Sequence, residues 1–262
     1  MQVFTYSAGI YMLLVFIGVE KLNLFNLVKS FFPIITKQYW FVTVYIVLMM
    51  LSPYLNVLLN DITKIELKRL LIIFTILFII IPTFTSFDFY GNELIQSIYF
   101  YLIGGCIRMG MFEKIDKNRY MIFVFSTLIL IFSTIGLSIL GNYIHGFLKH
   151  VTYFYHRNSI FVLLFCIALF LIYVRKKECS NKVINYVASN VFAVYLIGDN
   201  NYLRSIIWKK IFHVVSFTNS YYLIFNLILS VLIIFAVCIT IEIIRKNTIE
   251  KITDYFIGKC AK

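Results

Sequence analysis

Long apolar runs separated by short polar loops set the pattern of this chain. Eight runs stand out, at residues 4–19, 39–59, 70–84, 94–107, 120–140, 159–174, 184–197 and 221–244. They are continuous and do not alternate with period two, so they predict helices and not the strands of a barrel. A helix that crosses a bilayer takes about 20 residues. The first, third, fourth, sixth and seventh runs are therefore short, and polar residues facing other helices must complete them. The expected fold is all-α, a polytopic transmembrane bundle of about eight spans. No internal repeat interrupts the pattern.

Charge placement orients these spans. The loops after the second, fourth and sixth runs, with the tail after the eighth, carry 16 Lys and Arg against 8 in the opposite loops. Both termini are expected in the cytoplasm by the positive-inside rule. Asp88, His145, His150, His156, His213 and the polar cluster at Asp199 then fall on the outer side. The net charge of +12 sits in short loops between apolar runs, which suits anionic lipid headgroups and gives no reason to expect nucleic acid. Composition agrees: 61% hydrophobic, 18% aromatic and only 14% charged residues, with a mean hydropathy of +0.88. With 3 Pro and 11 Gly there is no room for a flexible linker, so residues 1–262 read as a single membrane domain. The first residues show no positive segment followed by a cleavage site, and no signal peptide is expected.

Polar residues inside the runs are the candidate chemistry. In "ELIQSIYFYLIGGCIR", Glu93, Gln96, Ser97, Tyr101, Gly104, Gly105 and Arg108 recur at three- and four-residue steps and share a helix face. Such a stripe faces a neighbouring helix or a wet cavity, and the glycine pair admits a close backbone approach. Packing and substrate lining both remain open for it. Asn185, Ser189 and Asn190 repeat the idea in the seventh run, and Asn226 in the eighth reads as an interhelical hydrogen bond. Pro53 and Asn56 sit where a helix exit can be shaped, with Asn56 as a cap.

The stretch "NVFAVYLIGDNNYLRSIIWKKIF" at 190–212 ends an apolar run in Asp199-Asn200-Asn201. Asp199 or an asparagine can cap a helix beginning near Tyr202. That helix would hold Trp208 at headgroup level while Arg204 and Lys209 snorkel. The four histidines share no metal-ligand spacing, and the five cysteines (Cys106, Cys166, Cys179, Cys238 and Cys260) form no CxxC, so structural thiols and no metal are expected. No Walker loop, GxSxG or dinucleotide fingerprint is present.

Two segments taken together carry a resemblance. They are "YWFVTVYIVLMMLSPYLN" at 39–56 and the stretch 158–208, which includes "VYLIGDNNYLRSIIW". In order and spacing the pair resembles the integral-membrane acyltransferase family 3, bacterial O-acyltransferases of surface polysaccharides. The matching positions are Tyr39, Trp40, Phe41, Ser52, Pro53, Leu55 and Asn56, then Val194, Tyr195, Leu196, Ile197, Asp199, Asn200, Arg204 and Trp208. Family members carry an N-terminal Arg…His motif with a histidine as presumed base, whereas this chain has no histidine before His145. The expectation is a domain truncated at the N-terminus relative to the family. Gly198 stands where the family has a second histidine.

The resemblance implies transfer of an acyl group, usually acetyl, from acyl-CoA to a hydroxyl of a cell-surface glycan or lipid-linked sugar in the cell membrane. Such chemistry needs a base for the hydroxyl and donors for the tetrahedral oxyanion. Asp199 and Arg204 are the candidate orienting or charge-stabilising residues, and Trp40, Asn56 and Asn200 the candidate substrate-binding ones. Cytoplasmic Lys and Arg can attract the phosphates of CoA. Two alternatives stay open: a non-enzymatic polysaccharide flippase or transporter-like protein using the same polar stripes, and an inactive remnant.

Overall fold

The computed structural model describes residues 1–85, 92–144, 149–178, 180–217 and 220–251. Among them every regular element is helical, as the continuous apolar runs require. In chain order the helices are α1 (Gln2–Phe16), α2 (Leu24–Phe31), α3 (Trp40–Asp61), α4 (Lys64–Thr75), α5 (Ile81–Phe84) and α6 (Glu93–Arg108). There follow α7 (Glu113–Lys117), α8 (Arg119–Tyr143), α9 (Ile160–Val174), α10 (Lys182–Ala188), α11 (Val191–Gly198), α12 (Leu203–Ser205) and α13 (Leu223–Arg245). Each of the eight apolar runs is helical. Among the described residues four helices are long and apolar enough to cross a membrane: Trp40–Asp61, Lys64–Phe84, Arg119–Tyr143 and Leu223–Glu250. Gln2–Phe16, Ile160–Val174 and Lys182–Gly198 are shorter apolar helices. Large apolar side chains such as Phe125, Phe132 and Leu232 stand exposed on the long helices, a surface suited to lipid.

Local chemistry explains where the helices bend. Pro53 lies inside α3 and has no N–H for the carbonyl of Met49. The Ser52 hydroxyl donates to that carbonyl at 2.8 Å, so the helix does not end at Pro53. It runs on to Asp61, and Asn56, expected near a helix exit, is an interior residue. Lys64–Phe84 opens on a capping box, in which the Glu66 backbone N–H donates to the Thr63 hydroxyl and the Glu66 carboxylate accepts from the Thr63 backbone. The helix widens to a π-turn over Ile76–Ile80, just ahead of Pro82, which leaves the Phe78 carbonyl without its usual donor. The seventh run breaks between α10 and α11, where the buried Asn190 amide donates to the Tyr186 carbonyl at 2.7 Å.

The chain divides into two compact units, residues 1–43 with 179–262, and residues 44–178. In the first, α1 packs against α2 and α11, and α11 against α13. Its core includes Tyr6, Tyr11, Leu14, Ala193, Leu196 and Cys238. In the second, α8 packs on α9 and α4 on α6, around a cluster containing Leu67, Leu71, Tyr99, Leu102, Cys106 and Leu171. Asp116 binds Arg119 and Arg175 at 2.9 and 2.8 Å, and Arg157 pairs with Glu93 at 2.9 Å. Cys106, Cys166 and Cys238 are free thiols; Cys179, Cys260, Asp88 and His145 lie outside the described residues.

Candidate active site

The site grows from the turn that precedes α3. Lys37 adopts a left-handed conformation, with φ of 52°, and the chain then enters Gln38, Tyr39 and Trp40. Gln38 is tied to α1, because the buried Ser7 hydroxyl donates to its side-chain carbonyl at 3.0 Å. Tyr39, 1% exposed, points its hydroxyl at the C-terminal end of α11. That hydroxyl donates to the Leu196 carbonyl at 2.9 Å and accepts from the Asn200 amide at 2.9 Å. Terminal carbonyls of a helix have no intrahelical donor, and Tyr39 supplies one from outside.

Asn200 is the joint of this arrangement, itself 1% exposed. While its amide donates to Tyr39, its carbonyl oxygen accepts from the Tyr202 and Leu203 backbone N–H groups at 3.0 and 3.3 Å. The cap expected from Asp199 or an asparagine is therefore Asn200. Asp199 points elsewhere: its carboxylate stands 3.6 Å from the Arg204 guanidinium at an exposed edge. From α12 the chain continues as a π-turn over Ile206–Ile211, which buries Ile207 and leaves Arg204, Lys209 and Lys210 exposed. This is the amphipathic character expected of an interfacial segment.

Between these pieces lies a cavity of about 600 Å³, mostly apolar, whose walls include Trp40, Tyr195, Gly198, Asp199, Trp208 and Phe235. The Tyr195 ring packs edge-on against Phe41 at 5.8 Å and tilted against Tyr39 at 6.1 Å. A Cβ built at Gly198 would meet nothing within 4 Å, so the cavity wall is open there. Of the five residues singled out in the sequence, Trp40 and Asp199 line this cavity. Arg204 stands beside Asp199, and Asn200 is buried with its side chain spent on Tyr39 and the backbone of Tyr202 and Leu203. Asn56 belongs to the other unit, where the Tyr101 hydroxyl donates to its side-chain carbonyl at 2.8 Å.

A family model for an acyltransferase domain, acyltransferase family 3, matches residues 2–244. The chain belongs to that family. No curated protein and no solved structure matches it. Membership makes this an acyltransferase-class protein of the membrane, and the knot around Tyr39 and Asn200 is built from the family-like positions of the two quoted segments.

Sequence reasoning passed over a second buried network in the same unit of this acyltransferase. Glu242, 1% exposed, lies in the apolar helix α13 and accepts from Tyr6 at 2.6 Å and Gln2 at 3.0 Å, both on α1. Arg245 binds it with two donors at 2.8 and 2.9 Å and also holds Glu250 at 2.8 Å. Lys246 donates to the Asn190 side chain at 2.8 Å, which settles the role of that run-breaking amide. The available signal was a lone acid in an apolar run, three residues ahead of an arginine. Because every partner is supplied by the chain, this network reads as a clamp joining α1 to α13.

The remaining polar candidates are spread out. Asn226, expected to bond between helices, donates instead to the Phe212 carbonyl just past the π-turn at 3.4 Å, and its side-chain oxygen is buried without a hydrogen-bond partner among the described residues. His150 and His156 are exposed and flank the Tyr153 ring at 6.1 and 6.2 Å. The His213 ring lies 3.2 Å from the Ile211 carbonyl. Among the described residues no group of three His, Cys, Asp or Glu side chains is placed to hold a metal ion.

Proposed function

We propose that this chain is a membrane O-acyltransferase of the bacterial cell membrane, moving an acyl group, acetyl in the first instance, from acyl-CoA to a hydroxyl of a cell-surface polysaccharide or its lipid-linked precursor. The observation that carries the reading is the convergence of Trp40, Gly198, Asp199 and Trp208 on one cavity with Arg204 beside Asp199 at its edge. An aromatic pocket with a few polar groups at its rim suits a sugar ring, whose apolar face lies on an indole while its hydroxyls reach the rim. Asp199 accepts a hydrogen bond from the acceptor hydroxyl and orients it. Arg204 donates toward the carbonyl oxygen, which gains charge as the carbon becomes tetrahedral. The hydroxyl oxygen bonds to the thioester carbon, the C–S bond breaks, and the hydroxyl proton leaves with the CoA thiolate as the free thiol.

The charge distribution of the loops supports eight crossings with both termini cytoplasmic. That arrangement gives a cytoplasmic donor and an outward-facing site at Asp199, so the reaction requires the acyl thioester to reach Asp199 through the bundle. The test uses the full chain purified in detergent, with acetyl-CoA and a surface-glycan fragment. Acceptor-dependent thiol release is expected, and Arg204→Ala should lower kcat about 100-fold, the scale of losing one oxyanion donor. Its melting temperature should hold, because the pair is exposed and such pairs stabilise little. Equal thiol release with and without acceptor, alongside movement of lipid-linked sugar across vesicles, would replace the enzyme with the transporter reading.

A further inference from the structure

The unit spanning residues 44–178 carries a groove of its own. Its polar end is a cavity of about 740 Å³ whose walls include Asn56, Asn60, Tyr101, Gly104, Arg108 and Phe170. A second cavity of about 290 Å³ is almost wholly apolar and is lined by Phe100, Ile103, Ile107, Cys166 and Ile167, sharing Gly104 and Phe170 with the first. The two shared residues make them one groove with a polar head and an apolar tail. A Cβ at Gly104 would meet nothing within 4 Å, so the join between the halves is open. From Phe100 to Arg108 the helix advances about 12 Å, a length that matches a good part of one acyl chain.

The head is rich in donors and holds no acid. Asn56 uses its carbonyl for Tyr101, which leaves its amide N–H groups directed to other acceptors. Neither Asn60 nor Arg108 has a hydrogen-bond or ion-pair partner among the described residues. Within the unit Arg119, Arg157 and Arg175 bind a carboxylate, whereas among the described residues Arg108 and Arg69 do not, and of these two it is Arg108 that lines the cavity. A guanidinium beside amide donors matches the oxygens of a phosphodiester.

We infer that this groove is a binding site for an anionic phospholipid, with the headgroup phosphate at Arg108 and Asn60 and one acyl chain along Phe100, Ile103 and Phe170. The site is tested by native mass spectrometry of the full chain released from detergent with equimolar dioleoyl phosphatidylglycerol and dioleoyl phosphatidylcholine. Phosphatidylglycerol should be retained in preference. Arg108→Gln should weaken that retention about tenfold, the scale of one charge-assisted contact, while Arg69→Gln, an exposed arginine outside the groove, leaves it unchanged. Gly104→Leu, which fills the join, should lower retention with Arg108 intact and the melting temperature preserved. Equal retention of the two lipids, or an Arg108→Gln protein that behaves as the parent, overturns the site. Displacement of the lipid by millimolar inorganic phosphate overturns the amphiphile and leaves a headgroup-sized anion site.

Discussion

Asn200 does two jobs with one side chain, and the two can be separated. Its carbonyl oxygen caps α12 and its amide satisfies the Tyr39 hydroxyl. Asn200→Asp keeps the cap but turns the donor into an acceptor facing Tyr39, which can then rotate its own proton toward the carboxylate only by releasing the Leu196 carbonyl. Asn200→Ala loses both roles. Losing a cap costs about 1 kcal/mol, and leaving a buried hydroxyl short of a partner about 1–3 kcal/mol more. Thermal unfolding in detergent should therefore rank the parent above Asn200→Asp, and Asn200→Ala lowest; equal melting temperatures would show that neither bond matters. The cap was legible in the sequence, because an asparagine ahead of a helical run offers an acceptor to orphan N–H groups. The bond to Tyr39 joins residues 161 positions apart, and nothing local to either residue signals it.

At the scale of the helix, neighbouring glycines in α6 have opposite tolerances. A Cβ on Gly105 would sit 2.6 and 3.0 Å from the two methyl carbons of Leu59, whereas one on Gly104 meets open space. Both contacts are to the far end of the Leu59 side chain, so a Cβ there forces Leu59 to turn aside within a packed cluster. Gly105→Ala should cost about 1–3 kcal/mol by overpacking, with Leu59→Ala restoring part of it, and Gly104→Ala should be near neutral. The glycine pair was visible in the sequence as a place of close approach; which of the two is approached was not. Within the polar stripe Gly105 packs against Leu59, and Gly104 lines a cavity wall. The α1–α13 clamp makes a second test. Glu242→Gln takes the buried carboxylate from Arg245 and leaves it paired with Glu250 alone; removing one partner of a buried pair costs up to about 3–5 kcal/mol. Pairing it with Arg245→Met should recover most of that loss in a thermal-unfolding double-mutant cycle.

Across the whole molecule, the topology reading is tested by cysteine labelling in intact cells with a membrane-impermeant maleimide. A cysteine at Asn201 should be labelled from outside, and cysteines at Lys114 and Lys177 only after the cells are opened. The reverse pattern would invert the bundle and put the Asp199 site on the cytoplasmic side. Much of this architecture was written in the pattern of apolar runs, because backbone groups in hydrocarbon must bond within their own segment and a long apolar run then has helix as its outcome. The cap at Asn200 and the family-like segments also lie in the linear chain, since each depends on near neighbours or on order and spacing. The assembly of Trp40 with Gly198, Asp199 and Trp208, the reach of Tyr39 to α11, and the burial of Glu242 against α1 were decided only by tertiary structure. Each is a contact between distant segments, and such contacts follow from how whole helices fill space against one another, which no local pattern specifies.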